Sequence, residues 1–356
     1  RATSVETAQR RDRARAAEAD AAPQERRRSN KHGAPDRIRT CDPQYRKLML
    51  YPLSYGGSFS LAGLARVAVP CQAGAMSTVA PHAKQTLTRR VGCALEATLG
   101  APAEIVLSVA VARADGLELE ESLVVTLDGR PTPVREVEGP CGTRWHTAAL
   151  PAGELAVRYE ATARGRATPE AVQDAERILA VRPSRYIQCD ELAGPLVDAA
   201  RVRALAALEP AERVAAARAL TRELLTYTPG STAPTDGLPE ILETGQGVCR
   251  DFAHLLAGLL RATDLPARVV SVYAPELQPM DFHAVVETAI DDRWVVVDAT
   301  GLAPRAGMLR IATGRDAADT AFLANDGSSL TLHRLLVHAE ADAPLDEQVD
   351  ALVALG

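Results

Sequence analysis

The chain has 356 residues, 47% of them hydrophobic and 24% charged, which is enough for two ordinary globular domains. No uncharged apolar run of the roughly eighteen residues a membrane helix needs occurs, and the Arg-rich start is not followed by the apolar stretch of a leader peptide, so the sequence reads as neither membrane-spanning nor secreted. The net charge of −6 hides an asymmetry: residues 1–75 hold 14 Lys and Arg against 7 Asp and Glu, which leaves a net −13 for residues 76–356. That acidic body lacks the basic face that nucleic acid or an anionic membrane requires, and neither is expected as a partner. The cysteines at 41, 71, 93, 141, 189 and 249 form no C-x-x-C pair and no dense framework. Neither a zinc site nor a disulfide scaffold is signalled, and a reducing cytoplasmic setting is expected.

Taken in chain order, Arg1 to Lys31 is rich in Ala, Arg and Glu with few large apolar residues, too few to offset the entropy of ordering, so disorder is expected there. The string GAPDRIRTCDPQYRKLMLYPLSYGG, from Gly33 to Gly57, resembles one that recurs in bacterial gene models where a neighbouring transfer-RNA gene has been translated. By that resemblance residues 1–75 are a disordered or spurious extension and the true start is Met76. The runs EIVLSVAVAR (104–113), LELEESLVVTL (117–127) and ELAVRYEATA (154–163), separated by turn signals, predict antiparallel strands of a small β-sandwich within a β-rich domain at 76–183. Residues 184–356 form the second domain. The connector VRPSRYIQCDEL (181–192) leads into it and is expected to pack on its core; helices near 194–208 and 211–226 and a loop at 228–240 come after. DFAHLLAGLLRA (251–262) has Phe252, Leu255, Leu256, Leu259 and Leu260 on one helical face and is stopped at Pro266. Strands at 267–274, 283–290 and 294–300 come next, the last two joined at 291–293.

Cys249 stands directly before that helix, where unpaired N–H groups and the helix dipole favour a thiolate. Arg250 adds positive charge and Asp251 opposes it. Gly245 and Gly247 permit a tight approach, and the Cys249 N–H is placed to serve an oxyanion site. If the strands carrying His283 and Asp298 form a hairpin, residue 298 falls opposite about residue 286, and the imidazole and carboxylate meet at one sheet edge. Thiol, imidazole and carboxylate then make a nucleophile, a base and an orienting group.

The blocks TGQGVCRDFAHLLAGLLRATDLPARVVSVY, DFHAVVE and WVVVDAT resemble, in order and spacing, the Cys, His and Asp blocks of the bacterial transglutaminase-like superfamily of papain-like cysteine enzymes. PSRYIQCDEL and IATGRDAADTAF are similar to flanking family segments, so the resemblance covers roughly residues 80–325. It implies an α+β papain-like core, preceded by a small antiparallel β-sandwich, with Cys249 as nucleophile, His283 as general acid and base and Asp298 as orienter. It implies no metal and no organic cofactor, and a peptide or protein substrate cleaved or transferred through a thioester; hydrolysis is favoured over cross-linking because no segment signals the water-excluding cleft that an amine acceptor needs. The alternative is a non-catalytic interaction module that keeps the core for packing. A second oxyanion donor is not placed, since Gln246 lies too close to Cys249 in sequence.

The remaining candidates read as structural. His254 is expected to be a hydrogen-bonded structural histidine, Arg250 and Asp251 a pair that satisfies the helix start, and Trp294 and Tyr273 core or cleft-wall aromatics. Cys189 reads as a buried thiol, and Cys141, His333 and His338 show no ligand spacing.

Overall fold

Between residues 88 and 165 the chain alternates apolar and polar side chains, which lets each strand bury one face and leave the other in water. In the computed structural model, which describes residues 48–50, 87–326, 329–345, 347 and 351–356 within one unit, Lys47–Gly356, this alternation is direct. Val91, Cys93, Leu95, Ala97 and Leu99 are buried, whereas Arg90 and Glu96 are exposed. The strands of this part are β1 (Leu48–Leu50), β2 (Thr88–Leu99), β3 (Ala103–Leu107), β4 (Leu117–Leu127), β5 (Arg130–Pro131), β6 (Arg135–Glu138), β7 (Arg144–Leu150) and β8 (Gly153–Gly165). Helices α1 (Asp174–Ala180), α2 (Ala199–Ala206) and α3 (Pro210–Leu224) follow, then β9 (Thr226–Tyr227), α4 (Leu238–Thr244), β10 (Gln246–Gly247) and α5 (Cys249–Arg261). The chain continues through β11 (Ala267–Tyr273), β12 (His283–Ile290), β13 (Arg293–Val297), β14 (Leu309–Gly314), α6 (Ala317–Thr320), β15 (Leu323–Asn325) and β16 (Leu330–Ala341).

Two five-stranded antiparallel sheets form the sandwich, in the orders β16-β2-β8-β4-β5 and β1-β15-β3-β7-β6. Strands β15 and β16 come from the far end of the chain, so the sequence-based division that gave all of 184–356 to the second domain does not follow the sheets. The reason is register: β16 pairs with β2 from Leu330↔Leu99 to Ala341↔Arg89, covering what would otherwise be a long open edge. The extension expected at 1–75 lies outside the described residues except for β1, which pairs with β15.

The second core is a four-stranded antiparallel sheet, β13-β12-β11-β14, with α5 packed on β11 and β12. Every residue of α5 is buried, so its polar members need partners. Arg261 donates to the carbonyls of Ala267 (2.9 Å), Arg182 (3.2 Å) and Arg315, which ties the connector to the core as expected. The β12–β13 turn is one residue tighter than the sequence reading. Asp291 and Asp292 both have positive φ, 46° and 61°, as a two-residue primed turn demands, and Ile290 pairs with Arg293. Val286 therefore faces Val297, and Asp298 lies just beyond the last pair.

Sandwich and core meet through aromatic rings. Tyr159 of β8 lies 6.3 Å from Tyr273 of β11, Tyr273 lies 5.5 Å from Phe282, and Phe282 lies 5.2 Å from Phe322, all buried. The Tyr273 hydroxyl donates to the Val109 carbonyl at 2.7 Å. Each such ring contributes on the order of 1.5–3 kcal/mol on burial. A fragment of residues 184–356 would expose this face and leave β16 without β2. We expect it to show no cooperative urea transition where the full chain shows one; a cooperative transition at the same midpoint would mean that the core folds without the sandwich.

Candidate active site

The short α4 ends at Gly245, whose φ of +64° reverses the chain into β10. Gln246 and Gly247 then pair in parallel with Thr226 and Tyr227, which fixes the approach to α5. Gly247 has no room for a side chain, since a Cβ there would lie 2.6 Å from that of Asp251. Asp251 needs this closeness: it accepts the Val248 N–H at 2.8 Å and the Thr232 hydroxyl at 2.6 Å. Arg250 donates to Asp251 (2.9 Å), Thr232 (2.9 Å) and the Ala233 carbonyl (3.1 Å). The pair therefore pins the 232–233 loop to the first turn of α5, and the Arg250 charge that the sequence reading offered to the thiol is spent on this clamp.

Cys249 is the first helical residue of α5 and is 4% exposed. His283 opens β12, and its Nε2 lies 3.0 Å from Asp298 Oδ2. The Cys249 thiol neighbours the imidazole and favours its charged form. Asp298 is held on every side. Its Oδ1 accepts from the Thr300 N–H (2.8 Å) and hydroxyl (2.7 Å), and its carbonyl accepts from Arg218 Nε at 2.8 Å. The three side chains predicted to form a triad are thus brought together.

The electrostatics follow from that packing. Burial opposes the charged imidazole, but the Asp298 charge and hydrogen bond, with a smaller effect of Cys249, outweigh it and raise His283 to about 10. Burial likewise opposes the Asp298 carboxylate, and the His283 charge and the Thr300 donors overcome it, holding Asp298 at about 2. An imidazolium–carboxylate pair is the stable form across the neutral range.

Tyr227 is a functional candidate that sequence reasoning missed. Its ring packs 5.9 Å from Phe252, and its phenol is close enough to Cys249 to be influenced by its charge and its main-chain N–H. Burial, then the charges at Cys249 and Asp281, push the phenol above its ordinary range, so it stays an O–H donor. Nothing in the string LLTYTPG marks this residue without the β9–β10 pairing that carries it to the thiol. Gln246, the nearest amide in sequence, is exposed.

His254 is buried in α5, stacks 5.8 Å from Tyr186 and accepts the Ala317 N–H on Nε2 at 3.1 Å. Burial and the Arg250 charge lower it to about 3, so it is a neutral acceptor that docks α6. Trp294 is buried beneath the Arg268 guanidinium, 3.9 Å from its ring centre. Cys189 is buried, Cys141 lies at hydrogen-bond distance from Arg268 (3.1 Å), and His338 faces Glu160 at 3.1 Å, all away from the triad. Among the described residues no group of three or more His, Cys, Asp and Glu side chains is arranged to hold a metal ion.

Comparison with known proteins agrees with this geometry. Residues 188–299 match the family model of the transglutaminase-like superfamily. The structure is similar to that of a candidate cysteine protease from Cytophaga hutchinsonii, with a TM-score of 0.65 and 26% identity over 76% of this chain and 96% of that one. A 65-residue stretch is 42% identical to an uncharacterised protein of Mycobacterium leprae, and a 75-residue stretch is 39% identical to one of Mycobacterium tuberculosis. These stretches span only 23% and 21% of the two mycobacterial proteins, and 18% and 21% of this chain. With the Cys249-bearing helix, a facing antiparallel sheet and the matched segment in hand, residues 188–299 form a transglutaminase-like core.

Proposed function

We propose that the protein is a cysteine-dependent acyl-transfer enzyme that opens peptide or carboxamide bonds through a thioester on Cys249, with water as the usual acceptor. The observation that carries this reading is the buried His283–Asp298 pair beside the Cys249 thiol at a helix N-terminus. The similarity to a candidate cysteine protease supports hydrolysis.

The steps use groups already in place. The Cys249 sulfur attacks the carbonyl carbon, and the oxyanion forms against the Cys249 N–H and the Tyr227 hydroxyl. His283, protonated, gives its proton to the departing amine as the C–N bond breaks, leaving a thioester and a neutral imidazole. That imidazole then takes a proton from water as it attacks, and the thiol is released with the acid product. Asp298 holds the ring and offsets its charge throughout. Cys93, Cys141, Cys189 and Cys249 are free thiols, which fits a reducing compartment such as the cytoplasm. Among the described residues no helix is long and apolar enough to cross a membrane.

Exposure of the protein to a library of peptide carboxamides, followed by acid quench and mass spectrometry, is expected to show an acyl adduct on Cys249 that Cys249→Ala lacks. The absence of an adduct at Cys249 with every member, while the fold is intact, would favour the interaction-module reading. In Asp298→Asn the main cause of the raised imidazole is gone while burial stays. Because turnover needs the protonated ring, its alkaline limb, near pH 10 in the parent, should move to lower pH. An unmoved limb would show that His283 is not the acid. Tyr227→Phe keeps the ring contact and loses only the hydroxyl. We expect kcat to fall about 100-fold with KM within about threefold, as loss of one oxyanion donor gives; an unchanged kcat would remove Tyr227 from the mechanism.

A further inference from the structure

The chain has two tryptophans, Trp145 and Trp294, and both line a single cavity of about 300 Å³. Three parts of the fold enclose it. The sandwich contributes Cys141 and Trp145 of β7, α1 contributes Leu179 and Ala180, and the core sheet contributes Arg268 of β11 and Trp294 of β13. The wall also includes Arg261, the last residue of α5, whereas Cys249 is the first. At a rise of 1.5 Å per residue the two ends of α5 lie about 18 Å apart, so this cavity is separate from the Cys249 centre.

The charged groups of the lining already have partners. Arg268 binds Glu176 at 2.7 Å and Glu287 at 2.8 Å, and Arg315 binds Asp319 at 3.0 Å. Arg261 is taken up by main-chain carbonyls. Burial pushes the Cys141 thiol up, which keeps it uncharged at neutral pH. Trp294 gives its indole N–H to Glu176 at 3.3 Å and one ring face to the Arg268 guanidinium, 3.9 Å from the ring centre. What remains for an occupant is chiefly apolar: the Trp145 ring, Leu179, Ala180 and Ala267. A charged molecule would shed its water here without gaining a partner, whereas an apolar one displaces water that has few hydrogen bonds to make.

We propose that this cavity binds an uncharged, ring-bearing small molecule. Its volume is that of a small ligand pocket, with room for a molecule of about two or three rings and none for a folded segment of a partner protein. Aromatic walls favour rings, which pack on them offset or edge-on. Leu179 is 52% exposed despite its apolar side chain and stands at the rim, where an occupant would cover it. A molecule held there touches sandwich, α1 and core sheet together, so it stabilises the joined fold.

The test titrates the full chain with N-phenylnaphthylamine, an uncharged probe whose emission rises on leaving water, and with anilinonaphthalene sulfonate, the same ring skeleton carrying a charge. We expect saturable binding of one N-phenylnaphthylamine per chain, a raised thermal midpoint, and binding of the sulfonate weaker by about tenfold or more. Because both tryptophans border the cavity, saturation should also quench most of the tryptophan emission. Leu179→Arg puts a cation at the rim and should weaken N-phenylnaphthylamine by about tenfold or more. Leu336→Arg is the control, at a leucine of β16 that is 51% exposed and lines a different groove, and should leave the affinity within about twofold. The proposal is overturned by the absence of saturable binding, by equal affinity for the sulfonate, by tryptophan emission that survives saturation, or by equal losses in the two variants. If Leu179→Arg abolishes the cooperative thermal transition, the charge comparison and the tryptophan quenching in the parent still decide.

Discussion

The contact on which the rest of the site depends is the hydrogen bond between His283 and Asp298, 3.0 Å long and almost fully shielded from water. Two charges placed at this depth are costly apart and strongly coupled together, so neither is stable without the other in position. The fold supplies that position twice over. The tight turn at Asp291 and Asp292 fixes the strand register, and Thr300 and Arg218 bind the chain on both sides of the carboxylate. With Asp298 immobile, His283 is held as a cation facing the helix that carries Cys249.

That helix is itself an unusual element, apolar along its length yet carrying Arg250, Asp251, His254 and Arg261 with no access to water. Each polar group holds down a different neighbour: the 232–233 loop by Arg250 and Asp251, α6 by His254, and the connector by Arg261. These partners converge on α5 from three separate segments, which gives Cys249 a rigid mount. Preorganisation of this kind is what the proposed chemistry requires of a thiol, an imidazole and a phenol.

Much of the site was legible in the sequence because its parts fall in strongly patterned strings. The apolar stripe of α5 announced the helix before which Cys249 stands, and the β12–β13 pair was visible from its apolar runs and aspartate turn. The register was read one residue off, because a two-residue turn with both φ positive cannot be told from a three-residue one by pattern alone. The return of β15 and β16 to the sandwich escaped notice for a different reason: local periodicity shows a strand but not its partner, and here the partner β2 is more than 200 residues away. The helix α4 lay hidden in a stretch that Gly237 and Pro239 mark as a loop; proline is tolerated in a first turn, where its missing N–H costs nothing. Tyr227 was invisible as a candidate because it sits in a two-residue strand, and only the β9–β10 pairing brings it near Cys249.

The central claim is that Cys249 senses His283 and, through it, Asp298. The most direct measurement is the rate of Cys249 alkylation by iodoacetamide as a function of pH in the parent, in His283→Ala and in Asp298→Asn. The account predicts three distinct profiles: the parent reacts across the neutral range, and each variant loses reactivity at the acid side because its thiolate is no longer paired with an imidazolium held by a carboxylate. Three superimposable profiles would contradict it, since the thiol would then be indifferent to both of its neighbours.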